Sequence, residues 1–149
     1  MRLFTLSGRP GSRKLTDVSE PMTILVAEDL AGQRMILDML LSVEGYDVHL
    51  VEDGVEALEY LKENTPDLAI LDVRMPKLGG LEVCARMKRV GRLKAVPVMI
   101  LTALRDAATL EASRLVAADA IVYKPLEGKD FRETVRSLLE RPSAEAPAV

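Results

Sequence analysis

Four short apolar runs, each closed by polar residues, punctuate this chain. Ile24-Leu25-Val26-Ala27 ends in Glu28-Asp29, and Leu68-Ala69-Ile70-Leu71 ends in Asp72. Val98-Met99-Ile100-Leu101 ends in Thr102, and Ala120-Ile121-Val122-Tyr123 ends in Lys124-Pro125. Continuous Val/Ile/Leu runs of this length mark strands buried on both faces, as in a parallel sheet. Strands are expected at 23–28, 47–51, 68–72, 96–101 and 120–123. Between and after them, apolar positions recur at helical spacing, predicting helices at 31–44, 54–63, 80–90, 105–117 and 127–140. The last helix carries its core stripe on Phe131, Val135, Leu138 and Leu139, and the first is expected to carry its own on Ile36, Met39, Leu40 and Val43. Gly45 falls where a helix is closed by a left-handed residue, and Asp53 stands as an N-cap for the second helix.

Five strand–helix units predict a three-layer α/β fold, and right-handed crossovers leave few ways to wind it. The 149 residues suffice for one domain with a sizeable core. Residues 22–140 are expected to form it. Residues 1–21, with Gly8, Pro10, Gly11 and scattered basic residues, read as a disordered extension, and Met22 as a natural alternative start. Residues 141–149, rich in Pro and Ala, read as a disordered tail.

Composition changes this picture little. Hydrophobic residues at 48% and charged residues at 29% are ordinary for a globular domain. A net charge of −3 offers no basic field for nucleic acid or an anionic membrane. Cys84, the single cysteine, excludes an internal disulfide and a cysteine metal cage, and reads as a small apolar filler in a helix. No apolar run approaches the roughly 20 residues of a membrane span. A cytoplasmic setting is the expectation. His49, the only histidine, falls in a strand and reads as a surface side chain.

The polar strand ends carry the chemistry. Open α/β sheets hold ligands at the carboxyl ends of their strands, and there the sequence gathers Glu28, Asp29, Asp72, Thr102 and Lys124. Three converging carboxylates repel one another unless a cation neutralises them. Hard oxygen donors without a neighbouring His or Cys select Mg²⁺. Asp29 and Asp72 are the expected direct ligands, Glu28 acts through a bound water, and the carbonyl of Arg74 completes the set. An Asp72 oxygen is then placed to attack phosphorus. Mg²⁺, Lys124 and the Thr102 hydroxyl each answer one equatorial phosphoryl oxygen. No glycine-rich nucleotide loop is present.

Residues 22 to about 140 resemble the receiver domain of two-component response regulators. The resemblance rests on ILVAEDL at 24–30, LAILDVRMPKLGGLEV at 68–83, VPVMILTA at 96–103 and VYKP at 122–125. It implies a flavodoxin-like (βα)5 sandwich with strand order 2-1-3-4-5. It also implies a phosphoacceptor that takes a phosphoryl group from a sensor histidine kinase or phosphotransfer protein, rather than a turnover enzyme. Asp72 is the implied acceptor, Glu28 and Asp29 its acid pocket, and Thr102 and Lys124 its switch partners. A cis Lys124-Pro125 bond and output through the fourth helix, fifth strand and fifth helix to a downstream protein are implied as well. A stand-alone receiver, without DNA binding of its own, is the expected form. The alternatives are a phosphorylation-independent pseudo-receiver and a receiver fragment of a larger regulator.

Three positions depart from the family pattern. Ile121 stands where an aromatic is usual, Ala117-Ala118 replaces a glycine before the fifth strand, and Gly79 replaces a frequent Asp. A haloacid-dehalogenase-type phosphatase shares the strand-end Asp and Mg²⁺. It needs a second Asp two residues on, where this chain has Arg74.

Overall fold

The structure, a computed structural model, describes residues 20–141. Of the extension expected at 1–21 and the tail expected at 141–149, residues 1–19 and 142–149 lie outside the described residues. Five strands and five helices alternate along the chain: β1 (Thr23–Ala27), α1 (Ala31–Ser42), β2 (Asp47–Val51), α2 (Gly54–Glu63), β3 (Leu68–Asp72), α3 (Gly80–Met87), β4 (Val98–Thr102), α4 (Ala107–Leu115), β5 (Ala120–Tyr123) and α5 (Gly128–Leu139). All pairings are parallel and the strand order is β2-β1-β3-β4-β5, the flavodoxin-like arrangement.

Strand alternation splits the core into two layers. Leu25, Ala27, Ala69, Leu71, Val98 and Ile100 point to one face and pack with α2 and α3 through Ala57, Leu61, Val83, Cys84 and Met87. Ile24, Val26, Leu68, Ile70, Met99 and Leu101 point to the other and pack with α1 and α5 through Leu37, Leu41, Phe131, Val135 and Leu138. Every residue of β3 and β4 is buried, because both faces are covered and neither strand is an edge.

The first helix corrects the expected stripe. Ile36, Met39 and Val43 are 50%, 63% and 75% exposed, whereas Leu37 and Leu41 are fully buried and Leu40 is half-buried. The segment Met35 to Leu41 is apolar at every position except Asp38, so periodicity admits two overlapping faces, and packing against the sheet selects one. The stripe on α5 is the one expected, since only one apolar face exists there.

Several boundaries also move. β1 stops at Ala27, before Glu28, and β4 runs from Val98 to Thr102 instead of 96–101. α3 ends at Met87 rather than 90: Leu93 and Val96 turn back into the core, and a continued helix would have carried them away from it. The same turn brings the Arg92 guanidinium onto the end of α2, where it donates to the carbonyls of Leu61, Lys62 and Asn64. α4 begins at Ala107 because Asp106 caps it, accepting from the Thr109 N–H at 2.8 Å. α5 spans Gly128–Leu139, one residue shorter at each end than 127–140.

Asp53 caps α2 as expected, accepting from the Glu56 N–H at 2.8 Å. Gly45 takes φ +92° behind α1, in the left-handed region that a side chain disfavours. Behind α4 that role falls to Ala117, with φ +63°. Its N–H donates to Arg114, and the Ala118 N–H to Ser113, closing the helix. A left-handed Cβ costs roughly 1–2 kcal/mol, partly offset by the ~0.4–1 kcal/mol of chain entropy that alanine saves over glycine. Ala117→Gly is therefore expected to stabilise the domain by about 0.5 kcal/mol. A urea midpoint that falls, at unchanged slope, would contradict this.

Candidate functional site

β1, β3, β4 and β5 end on the same side of the sheet, and their last residues and the loops after them carry the five residues singled out from the sequence. Glu28 follows β1, Asp72 closes β3, Thr102 closes β4 and Lys124 follows β5. Carboxylate oxygens of Glu28, Asp29 and Asp72 all lie within 4.8 Å of one another. Glu28 and Asp72 are buried, while Asp29 is partly exposed.

Lys124 bridges the two buried acids. Its Nζ donates to Glu28 Oε1 at 2.9 Å and to Asp72 Oδ2 at 2.5 Å. The Lys124-Pro125 bond is cis. The remaining oxygens are held by backbone: Leu30 N–H donates to Glu28 Oε2 at 3.1 Å, and Arg74 N–H donates to Asp72 Oδ1 at 3.1 Å. α3 starts directly against this strand end. A Cβ on Gly80 would stand 2.3 Å from the Asp72 carbonyl, so only glycine lets the helix approach so closely. At Gly79, where family members often carry Asp, α3 has no side-chain cap.

Electrostatics follow from burial and crowding. Burial, aided by the hydrogen bond and charge shared with Asp72, raises the Glu28 carboxyl to about 7, against the opposing pull of Lys124. For Lys124, burial alone would lower the ammonium, but hydrogen bonds to Asp72 and Glu28 outweigh it and raise its pKa. One lysine cannot neutralise three carboxylates, so the cluster retains net negative charge when all are ionised.

Thr102 is buried beside this cluster without a hydrogen bond to it. Its Oγ1 accepts from the Leu104 N–H at 2.9 Å, which shapes the loop between β4 and α4. Lys124 N–H donates to the Thr102 carbonyl at 2.9 Å, tying that loop's root to β5. Ile121, at the position usually aromatic, packs into the α2/α3 core layer. Tyr123 pairs in register with Thr102, and Arg105 of the β4–α4 loop lies 4.4 Å above its ring centroid.

Two contributors escaped the sequence reading. Arg105 gave no signal, because its aromatic partner lies 18 positions away on another strand. Arg34 donates to the carbonyls of Glu28 and Asp29. Its place in the first turn of the helix that follows the acidic pair was the only available hint. The expectations for Cys84 and His49 hold. Cys84 is buried with its thiol pushed up to about 11 by burial, and His49 is exposed and stacked on Tyr60 at 4.1 Å.

The family model for the response regulator receiver domain matches residues 24–136. The chain belongs to that family. Among curated relatives, the receiver is 41% identical over 124 residues to the response regulator MprA of Mycobacterium sp. (strain KMS), covering 83% of this chain and 53% of the relative. It is 40% identical over 128 residues to MprA of Mycobacterium avium (strain 104), covering 85% of this chain and 55% of the relative. The chain thus spans about half the length of the curated relatives it matches. A solved signal receiver domain of a histidine kinase from Syntrophus aciditrophicus shares 32% identity at a TM-score of 0.76, covering 86% of this receiver and 99% of that chain. Among the described residues, no helix is long and apolar enough to cross a membrane.

A carboxyl raised on folding contributes stability fully below its unfolded value, near 4.5, and loses it as pH rises through about 7. In chelator-treated protein, Glu28→Gln is expected to flatten the fall in stability across that interval. Urea titrations at a series of pH values check this, and parallel wild-type and variant curves would refute it.

Proposed function

We propose that this receiver accepts a phosphoryl group on Asp72, with Mg²⁺ bound beside it, and thereby switches its affinity for a protein partner. The observation that carries this reading is the gathering of Glu28, Asp29 and Asp72 within 4.8 Å, with Lys124 reaching into the cluster. The donor set fits Mg²⁺: three carboxylates, no nearby His or Cys, and a negative charge that Lys124 leaves partly uncompensated. Asp29 and Asp72 would hold the ion directly, with the Arg74 carbonyl. Glu28, both of whose oxygens already accept hydrogen bonds, would act through water. Bound there, Mg²⁺ supplies neutralisation of the acids and of one equatorial phosphoryl oxygen.

The residues of the chain do the rest. An Asp72 carboxylate oxygen attacks phosphorus in line, forming the O–P bond of an acyl phosphate. The P–N bond to the donor histidine breaks, and the leaving imidazole nitrogen keeps the electron pair and takes up a proton. Lys124 moves from the carboxylate to a phosphoryl oxygen, which needs only a short swing of its Nζ. Thr102 turns its hydroxyl hydrogen toward another oxygen while its Oγ1 can still accept from Leu104. Hydrolysis of the acyl phosphate by water later restores Asp72, so the protein catalyses its own charging and discharging without being a turnover enzyme. The donor is a sensor histidine kinase or phosphotransfer protein, and the setting is cytoplasmic. The output surface is α4, β5 and α5, because the Thr102 loop leads into α4 and borders β5. Output reaches a downstream protein and not DNA through this domain.

Intact mass after incubation with Mg²⁺ and acetyl phosphate tests the chemistry. One added phosphoryl group is expected for wild type, and none for Asp72→Asn or in chelator. If neither this adduct nor a beryllofluoride complex forms, the reading gives way to a phosphorylation-independent binding module. Thr102→Ala is expected to accept phosphate yet lose the phosphorylation-dependent gain in partner binding. A gain preserved in that variant would remove Thr102 from the switch.

A further inference from the structure

The Asp29 carboxylate has no anchor of its own. Among the described residues, no hydrogen bond or ion pair reaches it, although it stands within 4.8 Å of the Glu28 and Asp72 oxygens. Glu28 is held by Lys124 and Leu30, and Asp72 by Lys124 and Arg74. The direction of Asp29 therefore depends on its backbone, within a loop of three residues between β1 and α1.

Arg34 grips that backbone. Its NH1 donates to the Glu28 carbonyl at 2.8 Å and to the Asp29 carbonyl at 3.2 Å. Its NH2 lies 3.7 Å from Glu52 Oε2, just past the end of β2, and the side chain is only 17% exposed. One planar guanidinium thus fixes two consecutive peptide planes and is itself braced from a neighbouring strand. Two successive carbonyl directions set the backbone torsions around Asp29, and with them the direction of its Cα–Cβ bond.

We infer that Arg34 is a positioning residue that aims Asp29 into the acid pocket and so sets the divalent-cation affinity of the site. This deepens the phosphoacceptor reading above and rests on it for the identity of the ligand set. A bulk electrostatic effect would have the opposite sign: a cation near the pocket repels a divalent ion, so losing its charge should tighten binding. Positioning predicts weaker binding. Arg34→Lys separates the two further, because it keeps the charge and most of the stem but has a single nitrogen, which cannot both bridge the two carbonyls and lean on Glu52 as NH1 and NH2 do.

Calorimetric titration of Mn²⁺ into the chelator-treated protein is the direct test. Arg34→Lys is expected to weaken binding by roughly 10–100-fold, the range found when groups supporting metal ligands are removed. Phosphorylation by acetyl phosphate should then need correspondingly more Mg²⁺ for half-maximal rate yet reach the wild-type plateau, a split that general loss of structure would not produce. Wild-type affinity in Arg34→Lys, or a lowered plateau at unchanged Mg²⁺ requirement, would overturn the inference. If the lysine variant does not fold, Glu52→Gln carries the test: it leaves both carbonyl contacts but removes the brace, and should weaken Mn²⁺ binding a few-fold, where no change counts against the idea. Asp29→Ala distinguishes the two levels of the argument. If wild type and Asp29→Ala bind Mn²⁺ alike, the metal-site reading itself fails, whatever Arg34 does.

Discussion

Three carboxylates crowded at the edge of a sheet repel one another, and the amino group of Lys124 is what the chain itself sets against them. The ammonium spans Glu28 and Asp72, which follow β1 and close β3, from a strand at the far edge of the sheet. To reach them it must cross the end of β4, and this is possible only because all these strands run parallel and finish together. The strand order, the close approach of Gly80 to Asp72 and the tie from Lys124 to the Thr102 carbonyl all serve that one convergence. Even so, compensation is incomplete. Burial, with the hydrogen bond and charge shared with Asp72, drives the Glu28 carboxyl upward against the pull of Lys124.

The two core layers explain why such a cluster can persist. β3 and β4 are buried along their whole length, with apolar side chains on both faces, so the backbone that carries Asp72 and Thr102 is held rigidly. The polar ends emerge only where the strands stop and loops begin. Rigid strands with adjustable loops are the usual division between scaffold and chemistry. Here the division falls within a single residue of each strand end.

The loops differ in how they are held. The one after β1 is gripped by Arg34, which touches two carbonyls and leans on Glu52. By contrast, the β4–α4 loop rests on the Thr102 hydroxyl and on Arg105 above Tyr123, both contacts that a small rearrangement can exchange. The aromatic in this neighbourhood is Tyr123, adjacent to the lysine, while Ile121 is committed to the core. This receiver therefore keeps an aromatic next to its β4–α4 loop but in a different place from the family pattern.

The sequence by itself determined the strands, their polar ends and the acid, hydroxyl and lysine set, because buried parallel strands need unbroken apolar runs and strand-end chemistry interrupts them abruptly. It also determined the face of α5, where a single apolar stripe exists, and the caps at Asp53 and Gly45. It did not determine which face of α1 is buried. Leu37 and Leu41 prevail over Ile36, Met39 and Val43 because the sheet accepts only one orientation of a helix that is apolar nearly all round. The end of α3 was equally hidden, since it is fixed by Leu93 and Val96 returning to the core. Arg34 and the pairing of Arg105 with Tyr123 belong to the same class. Each is a contact between a side chain and a backbone or ring brought near it by folding, and short-range periodicity carries no information about such meetings.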